Sequence, residues 1–228
     1  MARWDKPKSA ARPRLGNRIF TIVVLAVLLA LCLSAIFIPL GYFRSQGEVM
    51  VSYGSVTVRR DLYVYWLSAY KYSYLVNAVR SDPSAADTVA YWTAATEEGI
   101  TRAEEARREA DAWIRRIVFA CAGFEEEDEV LDAKSREELE DNYRRLLQYE
   151  LDTEQKYDEA AKKIGFTYAT VRRALLCQSE GNAYVTGMSN ETYDLFCTLA
   201  EREVVFRDAA GRIDFVRLPT DVRLYLSD

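Results

Sequence analysis

The side chains best suited to chemistry in this sequence are aromatic. Tyr63, Trp66, Tyr70 and Tyr74 recur at i, i+3, i+7 and i+11, so a helix carries them on one face. That spacing is first of all a core stripe. It also suits a peptide-binding surface, because Tyr and Trp cover apolar segments at low entropic cost while their polar tips tolerate water. These four residues are therefore the candidate peptide-binding set. A second stripe, Tyr65, Ala69, Tyr72 and Val76, runs along another face, and Val64 and Leu75 fall close to Lys71. A helix apolar on nearly all sides belongs among several neighbours.

Reactive chemistry finds little to work with. The chain has no histidine, which removes the usual general base, the commonest zinc ligand and the proton switch of neutral pH. Carboxylate pairs such as Glu104/Glu105 and Glu137/Asp141 belong to charged helix faces, and nothing in their spacing puts two acids in a shared pocket. The acid run Glu125–Glu129 lacks the alternating oxygen ligands and turn glycine of a calcium loop, and reads as a solvated connection. Cys32, Cys121, Cys177 and Cys197 form no close pair and read as small buried hydrophobes. Their spacing leaves open one Cys121–Cys177 or Cys177–Cys197 bridge. Phosphate-loop, nucleophile-elbow and metal-spaced motifs are missing. The expectation is a non-enzyme with no cofactor, no catalytic residue and no metal.

The elements that must position these residues begin with a membrane anchor. Residues 1–18 carry six cations against the single acid Asp5, and residues 19–43 carry no charge. At about 1.5 Å rise per residue the apolar run crosses a hydrocarbon core of about 30 Å. The positive-inside rule then puts residues 1–18 in the cytoplasm and residues 44–228 on the far side, as a single-pass type II protein of the cell membrane. A cleaved signal peptide would have a shorter apolar region. The net charge of −5 hides an asymmetry, since the basic tail leaves the part beyond the anchor clearly acidic, and an acidic ectodomain disfavours nucleic acid as a partner.

That ectodomain reads as mainly helical, with a short hairpin at each end. Val49–Tyr53 and the residues after Gly54 form the first hairpin, and Thr57 is placed to cap the long aromatic helix that follows, with Asp61 in its first turn. Ser81–Ser84 breaks that helix. Capping boxes at Thr101/Glu104 and Ser135/Glu138 open two more, the first ending near Cys121–Gly123. Thr153 caps a shorter helix that Gly165 stops, Thr167 caps the next and Ser189 starts the last. The tail alternates like a hairpin over residues 203–218, with Asp208–Gly211 as its loop.

The segment Val51-Ser52-Tyr53-Gly54-Ser55-Val56-Thr57, a glycine turn leading into a long helix, resembles the opening of the chaperone domain of SurA/PrsA-type foldases. The junction Lys163-Ile164-Gly165-Phe166-Thr167 between two helices is similar to one in that domain, and the likeness spans about Val49 to Met188. The resemblance implies a multi-helix, SurA N-terminal-like domain that holds unfolded or extended polypeptide by apolar surface. It does not extend to the parvulin isomerase module: the chain has no histidine, and the 40 residues after Met188 are too few for such a domain. The alternative is a structural or assembly subunit that docks one specific membrane-complex partner, with the edge of the 203–218 hairpin as the docking element.

Overall fold

The computed structural model describes residues 47–226. The basic tail at 1–18, the expected anchor at 19–43 with Cys32, and most of the expected tether lie outside the described residues. Among the described residues no helix is long and apolar enough to cross a membrane. The described chain is mainly helical, with a small three-stranded antiparallel sheet.

Strands β1 (Val49–Tyr53) and β2 (Val56–Arg59) form the expected hairpin, with Tyr53 opposite Val56. Gly54 turns it at φ +53°, the left-handed region that side chains with a Cβ avoid. Thr57 is part of this ladder, opposite Ser52, so it cannot cap. Helix α1 (Arg60–Ser81) starts two residues later than that reading places it, from Arg59. Asp61 still occupies the first turn, where it accepts bonds from Thr170 Oγ1 (2.8 Å) and Arg173 (2.7 Å).

After the short α2 (Val89–Thr93), α3 (Arg102–Glu126) opens with the full Thr101/Glu104 capping box. It runs on to Glu126 and so draws Glu125 and Glu126 out of the acidic connection. Helix α4 (Ala133–Leu146) is capped by Asp132, whose carboxylate accepts the Ser135 N–H at 2.6 Å. Ser135 is therefore inside the helix and not its cap. Helices α5 (Glu154–Ala161), α6 (Tyr168–Val185) and α7 (Asn190–Glu203) start at Thr153, Thr167 and Ser189 as expected, and Gly165 turns the chain at φ +109°.

The C-terminal hairpin is not formed. Strand β3 (Val205–Phe206) instead pairs with β1, with Val51 opposite Phe206, which gives the order β2-β1-β3. Asp208–Gly211 winds into a helical turn, α8, whose Ala209 and Ala210 are buried. Ile213, Phe215 and Leu218 belong instead to a chain laid across the helices, where all three are buried. Cations take the place of a partner strand. Arg107 on α3 donates to the carbonyls of Ala210 (2.8 Å) and Ile213 (3.1 Å). Lys71 on α1 donates to those of Val216 (3.1 Å) and Leu218 (2.8 Å). A buried carbonyl needs a donor from somewhere, and here side chains supply it.

Candidate functional site

The first half of α1, Leu62 to Ser68, is buried on every side, and the second half is half-buried or exposed apart from Lys71. The four candidate aromatics divide along that line. Tyr63 and Trp66 are fully buried. The Tyr63 hydroxyl donates to Asp111 (2.9 Å) and accepts from Arg107 (2.6 Å), so it is engaged both as donor and as acceptor. Trp66 stands edge-on to Trp113 with ring centres 6.5 Å apart. Tyr70 and Tyr74 are pegged to α3 through bonds to Glu109 (3.0 Å) and Glu105 (2.7 Å). Tyr70 also lines a cleft.

That cleft, about 570 Å³, lies on the other stripe of α1. Tyr65, Ala69, Tyr72 and Val76 supply one wall, and Trp113 of α3 and Leu175 of α6 stand among the remaining lining residues. The C-terminal segment closes it with Tyr225 and Leu226. The Tyr72 and Tyr225 rings stack, 5.2 Å between centres and 22° from parallel. Tyr157 fixes the segment by donating its hydroxyl to the Leu224 carbonyl at 2.5 Å. A second cleft of about 430 Å³ shares Tyr225 and Leu226, so the tail forms a ridge between two grooves. On the rim of the second stands Tyr149, 93% exposed and at φ +55°, a backbone conformation costly for a non-glycine residue.

The larger cleft is almost free of charge, whereas Arg145, Glu150 and Arg223 line the second. Arg80 is the single ionic side chain of the larger cleft, and Ser73, Asn77 and Gln178 supply uncharged hydrogen-bonding groups. Burial, with Glu109 beside it, pushes the Tyr70 phenol up to about 12, and burial raises Tyr225 to about 12 as well. Burial also raises Tyr65. These phenols are neutral at physiological pH. Aromatic faces with a few amide groups bind apolar chain and can satisfy peptide N–H and C=O groups.

Sequence reasoning missed Trp113, Leu175, Tyr225 and Leu226 as groove residues. The Tyr65–Val76 stripe was visible as a second face of the helix, but no local signal tied it to a tail some 150 residues away. The three described cysteines are unbridged: Cys121 and Cys177 are buried thiols and Cys197 is partly exposed. Side chains able to hold a metal gather at a separate place, Cys121, Glu125 and Glu180. Comparison of the chain with protein-family models, with curated proteins and with solved structures finds no match.

Proposed function

We propose that this protein is a membrane-anchored, extracytoplasmic, chaperone-like module that binds unfolded or extended polypeptide in the groove along α1 and catalyses no reaction. The observation that carries this reading is the aromatic cleft between Tyr65, Tyr72 and Val76 and the Tyr225–Leu226 ridge, with Arg80 as its one ionic side chain, continued beyond that ridge by a second cleft that also carries Arg145, Glu150 and Arg223. Two grooves meeting at a ridge suit an extended chain better than a compact metabolite. The resemblance of Val51–Thr57 and Lys163–Thr167 to segments of the SurA/PrsA-type chaperone domain supports the same reading. The apolar run 19–43 would tether the module to the membrane, with residues 1–18 in the cytoplasm.

The test uses the full chain in lipid nanodiscs with a chemically unfolded, fluorescently labelled client. Wild type should slow client aggregation and bind a labelled apolar peptide. Tyr72→Glu places a charge on a half-exposed groove wall, so it should weaken peptide binding at least about tenfold with an unchanged circular dichroism spectrum. Undiminished binding by that variant would overturn the groove assignment. Indifference to unfolded clients, together with a one-to-one complex with a single membrane protein, would favour the assembly-subunit alternative.

A further inference from the structure

None of the residues in the second cluster lines the groove, and the cluster makes a separate proposal. Helices α3 and α6 are the most extensively packed pair in the described chain. Gly181 permits their closest approach, since a Cβ there would stand 3.2 Å from the Ala120 Cβ and 3.6 Å from the Cys121 backbone nitrogen. Cys121 and Glu125 share a face of α3 at i and i+4, and Cys177 and Glu180 share a face of α6 at i and i+3. The close crossing brings the two pairs together. The Cys121 sulfur and a carboxylate oxygen from each of Glu125 and Glu180 all lie within 4.8 Å of one another. Cys177, buried one turn before Glu180 on α6, acts on the Cys121 thiol, and its sulfur has to move inward to join the three ligand atoms that already converge.

The chemistry of this set is specific. Cys121 is 3% exposed and Cys177 8%, while Glu125 stands at the open side. Glu180 is partly buried, and the groups acting on it are the Cys121 thiol and the like charge of Glu125, with no lysine or arginine among them. A desolvated carboxylate ordinarily has a cation against it. Two sulfur and two oxygen ligands favour a borderline-soft divalent ion over magnesium or calcium. The spacing agrees. Zinc bonds of about 2.3 Å to sulfur and about 2.0 Å to oxygen, at a tetrahedral angle, separate the two ligand atoms by about 3.5 Å. Cys121 Sγ and Glu180 Oε2 are 3.5 Å apart.

We propose that Cys121, Cys177, Glu180 and Glu125 bind one divalent cation of the zinc type in a four-coordinate thiolate–carboxylate site that clips α3 to α6. On binding, both S–H protons pass to solvent as two sulfur–metal bonds form, and no electrons are transferred. Four protein ligands leave no open position, so the site is structural.

The test uses the full chain in detergent micelles under a phosphine reductant, in a Cys32→Ser, Cys197→Ser background, titrated with cobalt(II) alone. One equivalent should produce the thiolate-to-cobalt charge-transfer band and the intense visible bands of a tetrahedral ion, and zinc should displace both. Cys121→Ser or Cys177→Ser should abolish the charge-transfer band. Glu180→Gln, and the exposed Glu125→Gln, should weaken binding at least about tenfold, the loss that even an outer-shell change often causes. Zinc should raise the melting temperature of the parent and not of the cysteine variants. A plain S–H···O hydrogen bond holds the same spacing, and a fully reduced protein that gives no charge-transfer band would assign the contact to that bond and overturn the site. A band that persists in the Cys121→Ser, Cys177→Ser double variant would also overturn it, as would a Cys121–Cys177 disulfide in the chain isolated from its membrane.

Discussion

Replacing Lys71 with methionine probes the point where the aromatic helix, the loop after it and the C-terminal segment are joined. The Lys71 side chain is 1% exposed, pairs with Asp87 at 2.9 Å and donates to the Val216 and Leu218 carbonyls. Its ammonium also stands 5.1 Å from the centre of the Trp92 ring. Methionine fills the volume of the stem, so the loss is electrostatic and not a cavity. Stranding one member of a buried ion pair costs about 3–5 kcal/mol. Asp87 is 30% open to water and keeps bonds from Trp92 Nε1 (2.6 Å) and Thr220 Oγ1 (2.8 Å), which points to the lower end, about 3 kcal/mol. For a domain of this size that lowers the melting temperature by roughly 6–12 °C. Far-ultraviolet circular dichroism on the full chain measures it. Adding Asp87→Asn should recover part of the loss, because the unpaired carboxylate causes much of it. The pH profile has a defined sign. Burial raises the Asp87 carboxyl pKa, but the bonds from Lys71, Trp92 and Thr220 outweigh that and hold it below the ordinary value. Its contribution is therefore full above the unfolded pKa of about 3.9 and is lost as pH falls through the lower folded value. Without Lys71 the folded value rises, so acid unfolding should begin at higher pH. A variant within about 0.5 kcal/mol of the parent, the spread of ordinary surface substitutions, would refute the account.

Other substitutions separate scaffold from groove. Tyr63→Phe removes the hydroxyl shared by Asp111 and Arg107 and should cost about 1–2 kcal/mol in urea unfolding, with peptide affinity unchanged. Gly123→Ala places a methyl 2.5 Å from the Tyr184 ring, so the ring must move and stability should fall by about 1–3 kcal/mol on thermal melting. Tyr157→Phe frees the Leu224 carbonyl behind the groove wall and should cost about 1 kcal/mol while speeding peptide release in stopped-flow fluorescence.

What was legible in the sequence is what local chemistry decides. Thr101, Thr153, Thr167 and Ser189 each cap a helix because a hydroxyl three residues before an amide bonds it wherever the fold goes. Thr57 has the same chemistry but spends its backbone on the hairpin ladder. Asp132 likewise takes the cap expected of Ser135, because its carboxylate meets the Ser135 amide. The tail misled because period-two alternation marks any extended chain with one buried face, and β3 has its partner some 150 residues earlier. The aromatic face was visible as aromatic, but its division into core and groove was not. Tyr63 is buried because Arg107 and Asp111 meet it from α3, and Tyr72 lines a cleft because Tyr225 comes back to stack on it.

The closure of this fold by its own tail has a consequence in time. Strand β1 waits for Phe206, and Lys71 waits for a carbonyl 147 residues further along the chain. A polypeptide emerging from its N-terminal side presents the apolar first half of α1 long before the segments that cover it exist. Contacts of such long sequence separation form slowly and last, after the loop entropy between them has been overcome. The final packing step therefore waits until the chain has been made at least through Leu218, and truncation before that residue leaves Lys71 without its carbonyl partner there. During its own biogenesis the protein presents the same kind of surface that it is proposed to shield in others.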